Sequence, residues 1–313
     1  MTRAVVCAYH DVGVRCLSVL LAHGVEVPLV LSHEDSASEQ IWFGSVRELA
    51  ARHDIPCLTP ADPNTPAIIA EVRAAAPDFL FSFYYRSMLG AELLAAPKRA
   101  ALNMHGSLLP KYRGRVPINW AIIHGETETG ATLHHMAIKP DAGNIVDQQS
   151  VPILPDDLAV EVFRKVVVAA EVCLHRALPR LIDGTAPSFP QDLKQGGYFG
   201  GRTAADGVID WSQPALRIHD LVRAVAPPYP GASTRAANLE LLLFRTSVLA
   251  GLRGPHAAPT LYEAGGRVFA QAGDGGVLRV HEAALDGAAL PMQTLAARLA
   301  VAPLPLPLPC ASR

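Results

Sequence analysis

The sequence lacks the two glycine-rich loops that most often hold nucleotide phosphates. The turn after the first predicted strand reads His10-Asp11-Val12-Gly13, where a dinucleotide-binding protein would carry G-x-G-x-x-G. No G-x-x-x-x-G-K-S/T motif occurs in the 313 residues. Both a Rossmann dehydrogenase and a P-loop phosphotransferase are therefore disfavoured.

Metal-binding patterns are also missing. The five cysteines form no C-x-x-C pair and have no metal-ligand spacing. His134 and His135 are adjacent, and adjacent side chains on a strand point to opposite faces, whereas metal ligands must converge. We expect no metal site, and reduced thiols in a cytoplasmic protein.

The chain has no long apolar segment and no strong excess of either charge. The most apolar region near the N-terminus, 14–31, is interrupted by charged residues and a proline, so it predicts no membrane span, and no signal-peptide pattern precedes it. The 27 basic and 29 acidic residues give a net charge of −2, which argues against nucleic acid as the main partner. The length is sufficient for two globular domains.

Short apolar runs alternate with amphipathic stretches through the first half of the chain. The pattern predicts helices at 14–23, 45–53, 67–76 and 156–183, and strands at 5–9, 25–32, 55–58, 79–83, 101–105, 132–136 and 145–151. This alternation is typical of a Rossmann-like α/β domain with a mostly parallel sheet. Ligands of such sheets bind beyond the carboxyl ends of the strands.

The composition changes after residue 184. Residues 185–204 are rich in glycine, proline and polar residues, which is typical of a linker. Beyond them, a short helix at 215–224 precedes several β-like runs, and we expect a smaller β-rich domain with an open-barrel, OB-like fold. We therefore predict a catalytic domain (1–184), a linker (185–204), a β-rich domain (205–300) and a proline-rich tail (301–313), extended or disordered.

Two polar residues stand near the end of a predicted strand. Asn103 and His105 are two positions apart, so both side chains leave the same face. An amide can stabilise a developing oxyanion, and an imidazole can move a proton near neutral pH. Asp141, in a later loop, can supply a carboxylate, which would raise the pKa of a neighbouring imidazole. The combination fits acyl transfer to an amine, although each residue alone also fits a structural role.

Three motifs follow one another in a characteristic order: Asn-Met-His-Gly-Ser-Leu-Leu-Pro at 103–110, Arg-Gly at 113–114 and Asp-Ala-Gly at 141–143. Together they resemble the signature of the 10-formyltetrahydrofolate-dependent formyltransferases. Supporting segments at 8–11, 43–46, 81–86, 124–130, 199–203 and 222–225 extend the resemblance over most of residues 4–250. Within the family it is strongest to the domains that N-formylate UDP-4-amino-4-deoxy-L-arabinose, and methionyl-tRNA formyltransferases are also similar.

The resemblance implies a co-substrate, 10-formyltetrahydrofolate, and a role for each motif residue. Asn103 would stabilise the transition state, His105 would donate and accept the proton, and Asp141 would raise the pKa of His105. Substrate contacts are expected from Tyr9, Ser107 and Arg113. The folate would lie against Ser87, Met88, Leu89, Arg115, Ala137, Ile138, Lys139 and Pro140.

Some positions keep two interpretations. Arg113 and Arg115, with Lys111, are either solvated loop charges or hold an anionic group such as a glutamate or a diphosphate. The run 84–86 either packs against the sheet or contacts a ligand. The loop 33–39 departs from the resemblance near the expected amine entry, which leaves the acceptor sugar open. The sequence indicates no oligomeric state and ends where a bifunctional relative would continue, so we expect formyl transfer alone.

Three functions fit these observations. The first is N-formylation of a nucleotide-linked amino sugar, most specifically UDP-4-amino-4-deoxy-L-arabinose, for lipid A modification and polymyxin resistance. The second is methionyl-tRNA formylation, but residues 205–313 carry nine Arg and no Lys against eight Asp or Glu, a net charge of only +1. A tRNA-binding domain should show a marked basic excess. The third is a non-catalytic folate- or nucleotide-sugar-binding protein, which an intact set of Asn103, His105 and Asp141 disfavours.

Overall fold

The computed structural model describes residues 1–36 and 41–308. Contacts between Cα atoms divide the chain into two compact units. The first unit comprises Met1–Pro117, Glu128–Val151 and Phe163–Gly200. The second comprises Ile118–Thr127, Pro152–Val162 and the described part of residues 201–313. Each helix in the described ranges is too short or too polar to span a membrane.

Strands and helices alternate through the first part of the chain, as predicted. In chain order the elements are β1 (Arg3–Ala8), α1 (His10–Ala22), β2 (Glu26–Leu31), α2 (Val46–Arg52), β3 (Cys57–Leu58), α3 (Pro66–Ala74), β4 (Phe79–Phe83), α4 (Ala91–Leu94), β5 (Ala100–His105), β6 (Arg113–Gly114), α5 (Pro117–Ile123), β7 (Glu128–His135), β8 (Ile145–Pro152), α6 (Ala159–Asp183) and β9 (Tyr198–Phe199).

Seven of these strands form one sheet, in the order β3-β2-β1-β4-β5-β7-β8. The first five strands in that order are mutually parallel, and β7 runs antiparallel to β5. The predicted Rossmann-like, mostly parallel sheet is therefore confirmed. The antiparallel register places Asn103 opposite His134 and His105 opposite Thr132.

The sheet is buried on both faces, as parallel sheets generally are. All five residues of β4 are buried, and Phe79, Phe81 and Phe83 share one face, with Phe81 and Phe83 stacked at 5.4 Å between ring centroids. On the other face Leu80 belongs to an apolar cluster with Leu89. These contacts hold β4 and β5 in place, and β5 carries two of the predicted site residues.

The first helix begins earlier than the sequence pattern predicts. The periodicity starts it at Val14, whereas α1 starts at His10, whose backbone has a φ of +66°. Asp11 lies in the first turn, and its Oδ1 accepts the Gly44 N–H at 2.7 Å. A carboxylate therefore occupies the helix N-terminus, where a dinucleotide-binding protein would hold a phosphate.

Part of the predicted linker is structured and contacts the first unit. Tyr198–Phe199 forms β9, which pairs in parallel with β6, and Phe189 forms an antiparallel bridge with Ile145. A 3₁₀ turn at Leu193–Gln195 lies between these two contacts. Composition marks this segment as irregular, but it makes ordered backbone pairs.

The second unit is built on antiparallel strands. Its later elements are α7 (Ala215–Val225), β10 (Ala232–Ala236), β11 (Leu239–Arg253), β12 (Thr260–Ala264), β13 (Arg267–Gln271), β14 (Gly276–Leu285), β15 (Ala288–Leu290), α8 (Met292–Val301) and β16 (Leu304–Pro305). The sheet order is β10-β11-β14-β13-β12-β16, with β15 on β14, and the sheet approaches closure as a barrel. The predicted β-rich, barrel-like second part is confirmed.

The proline-rich end of the chain is partly ordered. Leu304–Pro305 pairs with β12, and the Leu306 side chain is 5% exposed. The helix α8 before it was not predicted from the sequence. Residues 309–313 of the predicted tail lie outside the described residues.

Candidate active site

His105 ends β5 with its imidazole almost fully buried, at 7% exposure. Its Nε2 lies 2.8 Å from the Tyr112 carbonyl oxygen. A carbonyl can only accept, so Nε2 carries a hydrogen and donates it. In the neutral ring Nδ1 is then the atom able to take up a proton, and it lies 3.6 Å from Asp141 Oδ1.

Asp141 lies in the loop between β7 and β8 with a φ of +51°, a conformation that Asp tolerates better than most residues. Its Oδ2 accepts the Gly114 N–H at 2.8 Å, and its Oδ1 faces both His105 and His134, each at 3.6 Å. The structure thus brings the predicted pair His105 and Asp141 together, although they are far apart in sequence.

The electrostatics of the pair are dominated by burial and mutual attraction. Burial lowers the pKa of His105; the Asp141 carboxylate and the Tyr112 carbonyl raise it, but only in part. Burial alone would raise the pKa of Asp141, but His105 and the Gly114 N–H together lower it well below its usual range. At neutral pH the carboxylate is therefore ionised and the imidazole is neutral. Asp141 acts on His105 in the predicted direction, and burial outweighs it.

A second histidine, His134, contacts Asn103. Its Nδ1 lies 2.9 Å from the His135 carbonyl oxygen, so Nδ1 carries the hydrogen and Nε2 accepts. Asn103 Nδ2 lies 3.1 Å from that Nε2, which fixes the orientation of the amide and leaves its second N–H hydrogen available. Sequence reasoning considered His134 only as a metal ligand and missed this role, because the contact depends on the β5–β7 register.

Two glycines of the motifs allow this close packing. Gly114 has a φ of +100°, and a Cβ there would lie 2.2 Å from the Phe199 carbonyl oxygen. A Cβ on Gly143 would lie 1.9 Å from the His135 carbonyl oxygen. Since real Cβ atoms never approach so closely, any side chain at either position would displace the loop that carries the Asp141 contact.

The residues predicted to hold the folate lie on three segments: 87–89 and 137–140, which adjoin the first unit's apolar cluster, and Arg115, directly after β6. Leu89 is a buried member of that cluster, and Met136, just before the second segment, packs against it. Met88 (62% exposed) and Ile138 (71% exposed) leave large apolar side chains at the surface of these segments. Binding of the folate by these residues stays a prediction. The remaining predicted residues, Ser87, Arg115, Ala137, Lys139 and Pro140, are exposed or half-buried.

The three predicted substrate contacts are buried and already hydrogen-bonded. Ser107 is 0% exposed and donates from Oγ to the Lys111 carbonyl oxygen at 2.6 Å. Arg113 Nη2 donates to the Leu193 and Gly196 carbonyl oxygens, both at 3.1 Å. Ser107 and Arg113 therefore use these polar groups to hold the backbone, and a substrate role for Tyr9, Ser107 and Arg113 stays a prediction.

Tyr9 belongs to an aromatic group at the carboxyl ends of β1 and β4. Its hydroxyl donates to Asp35 Oδ1 at 2.7 Å, and the Arg86 guanidinium lies 4.6 Å from its ring centroid. Tyr85 stacks on His33 at 4.2 Å and also packs against the apolar cluster. The run 84–86 therefore includes packing contacts. Residues 37–39 of the divergent loop lie outside the described residues.

This arrangement can perform acyl transfer without a covalent enzyme intermediate. It combines an oriented amide N–H donor, a buried neutral imidazole and an ionised carboxylate within a few ångströms. The amide can stabilise negative oxygen, the imidazole can accept a proton, and the carboxylate can stabilise the resulting cation.

Comparison with known proteins agrees with this chemistry. Residues 19–178 match the model of the formyl transferase family, and residues 202–299 match that of the formyl transferase C-terminal domain. A similar solved structure is the N-formyltransferase from Helicobacter canadensis, in complex with folinic acid and dTDP-3-aminofucose. It has 20% identity and a TM-score of 0.71 over 90% of this chain and 99% of that one.

Two further structures share the fold. WlaRD, a sugar 3N-formyltransferase solved with dTDP and 5-N-formyl-THF, has 19% identity and a TM-score of 0.72, over 90% of this chain and 97% of that one. HypX from Aquifex aeolicus with tetrahydrofolic acid has 20% identity and a TM-score of 0.60, over 94% of this chain and 46% of that one. With both family domains matched in order, the chain belongs to the formyl transferase family and is a formyltransferase that uses formyl-tetrahydrofolate.

Proposed function

We propose that this formyltransferase moves the formyl group of 10-formyltetrahydrofolate to the amine of a nucleotide-linked amino sugar. We further propose UDP-4-amino-4-deoxy-L-arabinose as the acceptor, in lipid A modification that confers polymyxin resistance, in the cytoplasm. The observation that carries the chemistry is the convergence of Asn103, His105 and Asp141 at the carboxyl edge of the sheet. The acceptor rests on the sequence resemblance and on the charge of the second part of the chain.

The acceptor class has two supports. The similar structures with nucleotide or nucleotide-sugar ligands match at least 90% of this chain. The net charge of +1 over residues 205–313 also favours a small acceptor over a polyanion such as tRNA.

In the proposed mechanism the bound folate supplies an activated formyl carbon. The acceptor amine attacks that carbon, and negative charge develops on the formyl oxygen. The free N–H of Asn103 stabilises that charge, since the other N–H is engaged by His134. One such donor accounts for about 3–4 kcal/mol of transition-state stabilisation in acyl transfer.

The attacking nitrogen must lose a proton, and the departing nitrogen must gain one. Burial lowers the pKa of His105, so the ring is neutral at pH 7 and can accept the amine proton at Nδ1. The Asp141 carboxylate then stabilises the imidazolium until the proton passes to the leaving nitrogen. The formamide and tetrahydrofolate are the products, and protons balance.

A single-turnover assay tests this proposal. The wild-type protein is mixed with 10-formyltetrahydrofolate and either UDP-4-amino-4-deoxy-L-arabinose, a dTDP-linked 3-amino sugar or methionyl-tRNA, and products are identified by mass spectrometry. We expect formylation of the UDP sugar, slower reaction with the dTDP sugar and none with tRNA. Faster reaction with the dTDP sugar would correct the acceptor, and formylation of tRNA alone would overturn the acceptor class.

Matched variants separate catalysis from binding. Asn103→Ala removes the proposed oxyanion donor. His135→Ala is the control, because His135 is half-buried next to His134 on β7 and its side chain points to the opposite face of that strand. Folate binding by calorimetry should survive both changes, and turnover should fall only in Asn103→Ala. Folate binding without turnover in the wild type, on all three acceptors, would favour the non-catalytic binder instead.

A further inference from the structure

The segment 188–199, which composition marks as linker, contacts both loops that form the active site. At its start Ser188 Oγ accepts from Asn144 Nδ2 at 3.0 Å, and Phe189 exchanges backbone hydrogen bonds with Ile145, both at 2.8 Å. At its end β9 pairs with β6 at Arg113–Gly114. The segment therefore connects the loop that carries Asp141 with the loop that carries the Tyr112 carbonyl.

Gln191 makes the most direct of these contacts. Its Nε2 donates to the Asp141 carbonyl oxygen at 3.1 Å and to the Gly143 carbonyl oxygen at 2.6 Å. One amide group thus holds the backbone on both sides of Ala142. Asp141 has a left-handed backbone, which persists only where its surroundings enforce it.

The Oε1 atom of the Gln191 amide argues against a purely stabilising role for this residue. Both acceptors are carbonyls, so the orientation of the amide is fixed with Nε2 toward them. Among the described residues, its Oε1 is buried without a hydrogen-bond partner. A buried acceptor without a partner lowers the stability of the folded protein. The contacts of Gln191 Nε2 with the Asp141 loop therefore explain this residue better than a contribution to stability does.

The same segment fixes the other loop. Arg113 Nη2 donates to the Leu193 and Gly196 carbonyl oxygens. The neighbouring residue, Gly114, supplies the N–H that Asp141 Oδ2 accepts at 2.8 Å. Asp141 is therefore held through its backbone by Gln191 and through its carboxylate by a loop that the segment also holds.

We propose that Gln191 is a positioning residue of the active site, which sets the distance between the Asp141 carboxylate and the His105 imidazole through the loop backbone. It touches neither imidazole nor carboxylate, and it acts through the Asp141 and Gly143 carbonyls. The effect of Gln191 on turnover rests on the proposed formyl transfer, whereas its effect on the distance between Asp141 and His105 does not.

Two readouts separate these roles. Gln191→Met keeps the shape of the side chain and removes the donor. Gln195→Met makes the same change at an exposed glutamine of the same segment, whose Nε2 donates to Asp192 Oδ2 at 3.0 Å and not to the Asp141 loop. The titration of His105 is followed in each ligand-free protein by NMR of ¹⁵N-labelled histidine, assigned by the signal lost in His105→Gln. Turnover is measured with 10-formyltetrahydrofolate and the amino sugar.

Asp141 and His134 are the titratable groups that face His105. Because the Asp141 carboxylate favours the imidazolium, its withdrawal in Gln191→Met should move the His105 titration to lower pH. We also expect kcat to fall roughly 10- to 100-fold, with an unchanged KM for the folate, as a small misplacement of a catalytic group does. Gln195→Met should match the wild type in both readouts.

An unchanged His105 titration in a folded Gln191→Met protein would overturn the proposal, whatever the turnover. A shifted titration in a protein whose wild type formylates no acceptor would keep the positioning role and reject the proposed function. If Gln191→Met does not fold, Gln191→Glu replaces it in the kcat assay, since an ionised carboxylate of the same shape cannot donate. Wild-type kcat in that variant would also overturn the proposal.

Discussion

Two buried histidines, one in each unit, differ in how completely the protein satisfies them. His219, 3% exposed, has its Nε2 2.8 Å from the Pro155 carbonyl oxygen and its Nδ1 2.9 Å from the Thr246 hydroxyl. His105, 7% exposed, donates from Nε2 in the same way, but its Nδ1 faces a carboxylate at 3.6 Å, beyond hydrogen-bond distance. Both ring nitrogens of His219 have hydrogen-bond partners. In His105 only Nε2 has one, and Nδ1 can donate to the Asp141 carboxylate only after it has taken up a proton.

The backbone conformation around the two histidines also differs. Near His105, Tyr112 and Asp141 have positive φ angles of 53° and 51°, and both contact the imidazole. His219 lies in the middle of the regular helix α7. Burial alone therefore does not identify a functional histidine, and an unsatisfied ring atom beside strained backbone is the better indicator.

The largest effect should come from removing the reactive ring. His105→Gln should lower kcat about 10²- to 10⁴-fold, because the proposed general base is lost, while His219→Gln should leave kcat per folded enzyme unchanged. Single-turnover rates on both variants make the measurement. Equal losses of kcat per folded enzyme in the two variants would contradict a specific role of His105 in proton transfer.

A smaller loss is expected from His134, which orients Asn103. His134→Ala frees the amide to rotate, so kcat should fall roughly 10-fold or more, up to the loss of the donor itself at about 10²- to 10³-fold. His135→Ala is the control on the adjacent position. Comparable kcat values for the two variants would show that His134 does not orient Asn103 for catalysis.

The converse change tests the structural histidine. His219→Ala leaves the Thr246 hydroxyl and the Pro155 carbonyl without their partner, and we expect the free energy of unfolding to fall by about 1–3 kcal/mol. Denaturant unfolding measures it, with His105→Ala as the comparison. A larger loss in His105→Ala would reverse the assignment of the two rings.

The smallest effect concerns pH and stability. Burial lowers the pKa of His105 and of His135 in the folded protein, below the ordinary value of 6.5. The unfolded chain therefore binds more protons as pH falls through 6.5, and the free energy of unfolding should decrease there. Unfolding at pH 7 and pH 5.5 measures this loss, which His105→Gln should reduce. A stability that rises on acidification would contradict the burial argument.

The local sequence pattern was sufficient to predict much of the fold and part of the candidate site. Alternation of apolar runs predicts the sheet, and the spacing of Asn103 and His105 predicts their common face, because both follow from short-range geometry. The contact of His134 with Asn103 depends on the β5–β7 register, and the contact of the Gln191 side chain with Gly143 joins residues 48 positions apart. Composition cannot reveal such pairs, and a segment rich in glycine and proline is interpreted as a linker even where it is structured.

The pairing of β6 with β9 also has a consequence for biosynthesis. Residues 103–114 leave the ribosome long before Tyr198 and Phe199, which hold Arg113 and Gly114 in place. A nascent chain that has reached Asp183, the end of α6, already contains Asn103, His105 and Asp141 but neither Gln191 nor β9. The residues proposed for catalysis are therefore synthesised before the residues that hold their loops in place.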